Sequence, residues 1–437
     1  MLNGGITLSY FEKTALELKK IKTDLENEYK KIKSNPVKLD MSRGKPSQEQ
    51  VDLSRGLLDT LKSDDVLKTE SGVDCANYGT LDGIPECKKL FSKLLGVNEK
   101  NIFIGGNSSL SLMFDAISCF MMNGVLGYTP WSKLEKVKFL CPCPGYDRHF
   151  AILDYFNIEP IIVPMTSSGP DMDMVERLVM EDESIKGIWC VPKYSNPQGI
   201  TYSDETVIRF SKLRPKAKDF RVFWDNAYAI HDICDQPDTL LSLMDECVKN
   251  SNENLPLLFC STSKITFPGG GVSAVGSSSE NISQLKDMYY FKTISYDKLN
   301  QLRHVKYFES FDKLLDHMQK HKKILKPKFD LVLEKLRSNF ENNKIVSWTE
   351  PKGGYFISLD VKRNCAKRVV NLCKDAGLSL TPTGSTFPKK IDQNDSNIRL
   401  APSYPTLSEL SRSMDLLCLC VKLATVEEML KEKINNF

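Results

Sequence analysis

Apolar and polar positions along the chain alternate with two different periods. Over residues 11–33, Leu16, Leu18, Ile21, Leu25 and Tyr29 share roughly one helical face, and Asn35-Pro36 is the stop signal. Arg43-Gly44-Lys45-Pro46 reads as a turn. Asp82-Gly83-Ile84-Pro85 opens a helix predicted over Pro85–Leu95, with proline in its first turn. After Asn101 the pattern changes. Short apolar runs at 102–104, 138–140, 161–163, 187–191, 220–224 and 257–260 alternate with helix-length segments, which predicts βαβ units and a mainly parallel sheet in an α/β fold. The apolar stretch 110–128 is interrupted by Asp115 and Asn123; it is too polar to span a bilayer and predicts a buried helix. Beyond Lys264 come a long basic helical region, 304–339, a stretch at 348–359 broken by Gly353-Gly354, and two more helices. The basic run 320–328 reads as a solvated helix face. This organisation predicts a large domain over residues 70–310. Residues 1–69 and 311–437 would supply a smaller α+β domain.

Composition narrows the function classes. The 437 residues hold 59 Lys+Arg against 56 Asp+Glu, a balance of +3 that gives no electrostatic reason to expect nucleic acid or a membrane surface as partner. With 41% hydrophobic and 26% charged residues, the chain suits a folded globular protein rather than a disordered one. Its thirteen cysteines are odd in number, scattered and set in apolar runs, the pattern of reduced thiols. Cys141-Pro142-Cys143 lacks a second Cys/His pair at ligand spacing, so no metal is expected. Residues 1–10 carry no basic segment followed by an apolar core, which leads to the expectation of a cytoplasmic protein.

Chemistry in an α/β sheet gathers at the C-terminal ends of strands, and several predicted strands here end in unusual polar words. Ile104-Gly105-Gly106-Asn107-Ser108-Ser109 runs from a strand through two glycines into a helix, an anion seat or else an ordinary N-cap. Lys193-Tyr194-Ser195-Asn196-Pro197 follows another strand, where Asn-Pro also fits a plain turn. Asp225 stands just past an apolar strand, as a desolvated carboxylate in need of a partner or as a cap. Ser261-Thr262-Ser263-Lys264 ends a buried-type strand and precedes Gly269-Gly270-Gly271. A desolvated lysine there loses basicity and becomes a Schiff-base nucleophile. A phosphate seat, a buried aspartate, an asparagine, a tyrosine and such a lysine are together the parts that pyridoxal phosphate needs.

The order and spacing of these words, with Met41-Ser42-Arg43-Gly44-Lys45-Pro46, Asn77-Tyr78-Gly79, Pro144-Gly145-Tyr146-Asp147-Arg148-His149 and Asn397-Ile398-Arg399-Leu400-Ala401, carry a resemblance over about residues 40 to 410. The chain resembles class I/II, fold-type I pyridoxal-phosphate aminotransferases, most of all the bacterial aspartate aminotransferase branch related to MocR effector domains. That resemblance implies a large domain with a mainly parallel seven-stranded sheet, and a homodimer with shared active sites. It implies Lys264 as the lysine that carries the cofactor, Asp225 on the pyridinium nitrogen, and Tyr228 and Asn196 on the ring phenolate. Tyr146 would stack on the ring. Ser108, Ser109, Ser261 and Ser263 would surround the phosphate, with Tyr78 reaching the partner's. Arg399, helped by the Gly44 N–H, would grip the substrate α-carboxylate.

One position departs from the family pattern. Eight residues after the lysine, where many relatives have a phosphate-binding arginine, this chain has Val272. The replacement expected is a cation from the segment 296–303 of the partner subunit. The implied activity is ping-pong transfer of an amino group from an L-amino acid, favoured L-aspartate, to a 2-oxo acid, favoured 2-oxoglutarate. Arg43, Lys45, Arg148 and Arg303 are the candidates for a distal carboxylate. Other transaminations, or lyase or decarboxylase chemistry on the same cofactor, are the alternatives. A MocR-type regulator would need a DNA-binding domain ahead of the fold, and only about 40 residues precede Arg43, without a helix-turn-helix pattern.

Overall fold

The computed structural model describes residues 10–36, 38–341 and 345–435; the first nine residues, part of the stretch read above for a leader, lie outside them. The strands in chain order are β1 (Leu39–Asp40), β2 (Ile102–Ile104), β3 (Lys138–Cys143), β4 (Glu159–Thr166), β5 (Gly169–Pro170), β6 (Ile185–Cys190) and β7 (Arg221–Asp225). They continue with β8 (Pro256–Ser261), β9 (Ser273–Gly276), β10 (Val346–Trp348), β11 (Ile357–Val361), β12 (Leu378–Ser379) and β13 (Asn397–Leu400).

The large sheet runs β2-β9-β8-β7-β6-β3-β4-β5. Strands β4, β3, β6, β7 and β8 pair in parallel, while β9 pairs antiparallel with both β8 and β2. Eight strands stand where seven were expected. The additional one is β5, two residues that fold back antiparallel on the end of β4. Strand β9 went unread because only Val272, Ser273, Ala274 and Val275 separate Gly271 of its glycine-rich approach from Gly276. The inner strands β6 and β7 and the edge strand β2 are buried along their whole length, which is why they read as unbroken apolar runs rather than as alternating ones. Two apolar cores cover the two faces of this sheet, one around Leu140, Ile188, Val222 and Leu258, the other around Phe139, Trp189, Phe223 and Phe259.

Local signals set the helices around it. Pro85–Leu95 has its proline in the first turn and ends at left-handed Gly96, φ 66°. Ser109–Asn123 takes Ser108 as N-cap, stops at Gly124 and buries the stretch that was too polar for a membrane. No helix among the described residues is long and apolar enough to cross a membrane.

A third core joins the two chain ends. Tyr29, Leu39 and Met41 pack with residues of β11, β13 and the helices Ala366–Asp375 and Leu407–Asn435. Here β1 pairs with β12, and β10-β11-β13 form an antiparallel sheet. Three expectations need correction. Leu16 does not share the buried face: it is 79% exposed, because at about 100° per residue it falls on the side of the helix opposite Leu18, which is fully buried. The basic helical region is two helices, Lys298–Phe308 and Phe311–Phe340, divided at Glu309, φ 57°. Within 320–328, His321 and Lys328 are buried; the Lys328 ammonium donates to the Ser403 carbonyl at 2.9 Å. That side of the helix therefore faces protein.

Candidate active site

The parallel strands all point their C-terminal ends at one edge of the sheet, and that edge gathers the residues singled out above. Asp225 is the last residue of β7 and is buried, 3% exposed. Its Oδ2 lies 3.1 Å from Nε2 of His149, while Oδ1 is buried and has no hydrogen-bond partner. His149 stacks on Trp189 at 4.4 Å between ring centroids, and the Tyr146 ring meets His149 edge-on at 4.9 Å.

Lys264 follows β8, and its ammonium lies 4.7 Å from the centroid of the Tyr228 ring. Burial lowers its pKa below the usual 10.5, with the Asp225 carboxylate opposing the shift. Burial also pushes the Tyr228 phenol well above its ordinary range, and Tyr146 to about 12, where Asp225 adds to the effect.

Arg399 stands on β13 and is buried. Its Nη1 donates to Asn196 Oδ1 at 3.3 Å and Asp147 Oδ1 at 3.4 Å, and its Nη2 to Thr381 Oγ1 at 3.4 Å. All three bonds are long, and Nε is buried without a partner. The guanidinium lies over the Phe356 ring, 4.7 Å from its centroid. Gly44 touches the same ring: a Cβ there would overlap Cζ of Phe356. Gly353-Gly354 is a close approach of the same kind, since a Cβ on Gly353 would run into the Tyr194 ring and the His231 carbonyl.

A small polar cup forms beside the lysine. Ser263 Oγ donates to the Asn107 carbonyl at 2.6 Å, and Ser261 Oγ to Ser263 Oγ at 3.1 Å. Ser108 Oγ accepts from the Leu110 N–H at 3.2 Å and caps the 109–123 helix, whose approach at Asn107 is the segment bonded to Ser263; Ser109 is buried. Val272 supplies no charge here: its side chain is in the core, and its N–H donates to Thr262 Oγ1 at 2.9 Å. The segment 296–303 packs against the cup of its own chain. Asn300 Nδ2 donates to the Gly270 and Gly271 carbonyls at 3.0 Å, and the Tyr296 ring lies against Gly106.

Tyr78 does not join this cluster; it is 82% exposed, on a loop whose carbonyls at Asp74 and Tyr78 accept from Lys298 Nζ at 2.7 and 3.3 Å. Arg43, Lys45 and Arg148 are exposed, with Lys45 Nζ over the Tyr404 ring at 3.8 Å. Arg303 is half-buried and its Nε has no partner. Sequence reasoning gave no role to His149, Phe356 or Thr381. His149 alone left a signal, one helical turn beyond Tyr146.

Comparison with known proteins fits this geometry. Residues 13–433 match the family model described as aspartate amino-transferase. The chain belongs to this family. An aspartate aminotransferase of Corynebacterium glutamicum is 43% identical over 405 residues, covering 92% of this chain and 93% of that protein. The crystal structure of an aspartate transaminase from the same species superposes with a TM-score of 0.94 at 42% identity, covering 97% and 99% of the two chains. These relatives establish the fold-type I architecture and aminotransferase chemistry of the family for this chain. A shorter likeness, 33% over 136 residues, joins it to the HTH-type transcriptional regulator YcxD of Bacillus subtilis and spans 29% of this chain and 27% of that one.

Proposed function

We propose that the chain is a pyridoxal-phosphate-dependent aminotransferase that takes the amino group of an L-amino acid, favoured L-aspartate, and delivers it to a 2-oxo acid, favoured 2-oxoglutarate, in a ping-pong cycle. The observation that carries this reading is the Asp225 carboxylate. One oxygen is held by His149 and the other is buried without a partner, in a carboxylate whose charge is felt by Lys264. Such an oxygen suits a protonated ring nitrogen, since a buried acceptor left unpaired costs about 1–3 kcal/mol. The cup of Ser108, Ser109, Ser261 and Ser263 suits the phosphate. The bound cofactor supplies an electron sink for the bond broken at the substrate α-carbon.

The side chains do the rest. Lys264, its amine made less basic by burial, anchors the cofactor covalently and, once released, moves the proton from the substrate α-carbon. Tyr228 and Asn196 hydrogen-bond the ring oxygen, and Tyr146 covers the ring face. Arg399 turns its loosely held guanidinium to the α-carboxylate as a two-pronged donor, with the Gly44 N–H beside it. The aspartate preference is supported by the Corynebacterium glutamicum protein and the crystal structure from that species, both named for that substrate.

We further propose a homodimer in the cytoplasm, with Tyr78 reaching the cofactor phosphate of the partner; the cation expected from the partner's 296–303 segment is not carried forward, because this segment packs against the cup of its own chain. Exposed Tyr78, Tyr290 and Phe291, at 82%, 72% and 88%, support a covered face. Analytical ultracentrifugation reads the dimer, and a panel assay of 2-oxo acid formation from aspartate, glutamate, alanine and an aromatic amino acid reads the substrate. Release of carbon dioxide or of ammonia in place of amino transfer would replace this reading with decarboxylase or lyase chemistry.

A further inference from the structure

Behind Lys264 lies a buried layer of side chains that none of the roles above uses. Gln50 is fully buried at the third position of the short helix Gln48–Asp52, and its Oε1 accepts the Ser47 N–H at 3.1 Å in a capping box. That bond fixes the amide: Oε1 faces Ser47, so Nε2 carries both donors. One goes to the Tyr355 hydroxyl at 2.9 Å, and the hydroxyl in turn donates to the Lys264 carbonyl at 3.3 Å. The other goes to Nδ1 of His321 at 3.1 Å. Nδ1 is therefore an acceptor, the single ring proton of neutral His321 sits on Nε2, and it donates to the Ile265 carbonyl at 3.0 Å. His317, one turn earlier on the same helix, places its Nε2 at 2.9 Å from that carbonyl. His231 closes the layer with edge-on contacts to Tyr228 and Tyr355.

We infer that Gln50, Tyr355 and His321 form a clamp of fixed polarity that positions Lys264 through its backbone. The clamp begins in the residues directly after the Gly44 turn and ends on the two carbonyls of the lysine and its neighbour. It thus ties the segment beside Arg399 to the peptide that carries the amine. The need for it follows from the chain itself: Lys264 lies three residues beyond the end of β8 at Ser261, outside the sheet's ladder of hydrogen bonds. These three are positioning residues, and the inference rests on Lys264 being the lysine that carries the cofactor.

The test compares His321→Phe, His321→Gln and Tyr355→Phe with the wild-type chain loaded with pyridoxal phosphate. Phenylalanine at 321 removes both hydrogen bonds and keeps a ring, glutamine restores a donor toward Ile265, and Tyr355→Phe deletes one oxygen. Loosening the lysine lets its nitrogen relax toward water, so the pH midpoint of the cofactor's visible absorbance rises, by about half a unit or more. In His321→Phe and Tyr355→Phe, kcat falls about tenfold or more while the amino acid KM stays within about twofold, because placement and not binding is lost. His321→Gln recovers most of both readouts. A wild-type midpoint and kcat in Tyr355→Phe overturn the clamp, and so does a His321→Gln variant no better than His321→Phe. If His321→Phe does not fold, Tyr355→Phe decides alone. A wild-type chain with no such absorbance overturns the functional reading, and the clamp with it.

Discussion

Asp225 and His149 share one hydrogen bond, Oδ2 to Nε2 at 3.1 Å, and both side chains are buried. The carboxylate is thereby oriented by one oxygen and presents the other. His149 is itself fixed by its stack on Trp189. The first prediction follows. His149→Phe keeps the stack but releases the carboxylate, and kcat/KM falls about tenfold or more; Asp225→Asn, which removes the charge meant for the ring nitrogen, costs about a hundredfold or more. Steady-state kinetics of both variants, with cofactor binding measured by absorbance, check the order of the two effects.

Gly44 and Arg399 meet on the Phe356 ring. Gly44→Ala forces that ring aside and disturbs the guanidinium above it. The expected outcome is a raised KM for the amino acid, with the cofactor bound as in the wild-type chain. Arg399→Lys replaces a planar fork by a point charge and lowers kcat/KM by about a hundredfold, the worth of a charge-assisted pair of bonds. Equal loss of cofactor absorbance in either variant would place Arg399 elsewhere in the site.

Acid stability should be governed by buried histidines. His304 and His321 are both depressed by burial to about 4 from an ordinary 6.5; His231 is held well below 6.5 by burial and by Lys264, and His317 is lowered by burial. Between those values the unfolded chain binds protons that the folded chain refuses. Stability is therefore lost as pH falls from 6.5 toward 4, at up to about 1.4 kcal/mol per histidine per pH unit. Melting temperatures across that range check the slope. His304→Gln, which keeps a polar partner for Thr262 and Thr266, should flatten it.

Much of this was legible in the sequence because strand ends announce themselves. A run of buried apolar residues followed by a polar word marked Asp225, Asn196 and Lys264, and proline or glycine punctuation marked the helices at 85–95 and 109–123. Strand β9 was missed because four residues with a terminal glycine carry no usable period. The division of the long basic region at Glu309 was missed because charged residues cover both helices, and Glu309-Ser310 is not a breaker pair. Phe356, Thr381 and Gln50 lie outside the polar words; they matter through what they touch, and such contacts, up to the 305 residues between Gln50 and Tyr355, leave no local trace. His321 read as one more polar residue of a basic helix, although its ring lies beneath the lysine.

The proposed function requires Lys264 to hold the cofactor and to move the proton. The direct measurement mixes the cofactor-loaded chain with L-aspartate alone, without a 2-oxo acid acceptor, and follows the cofactor absorbance and the keto product together. Wild-type protein should lose its visible absorbance in a single turnover and release one 2-oxo acid per site, while Lys264→Ala should lack the absorbance of the lysine-linked cofactor before aspartate is added and release no product. Transamination retained by Lys264→Ala would contradict the account.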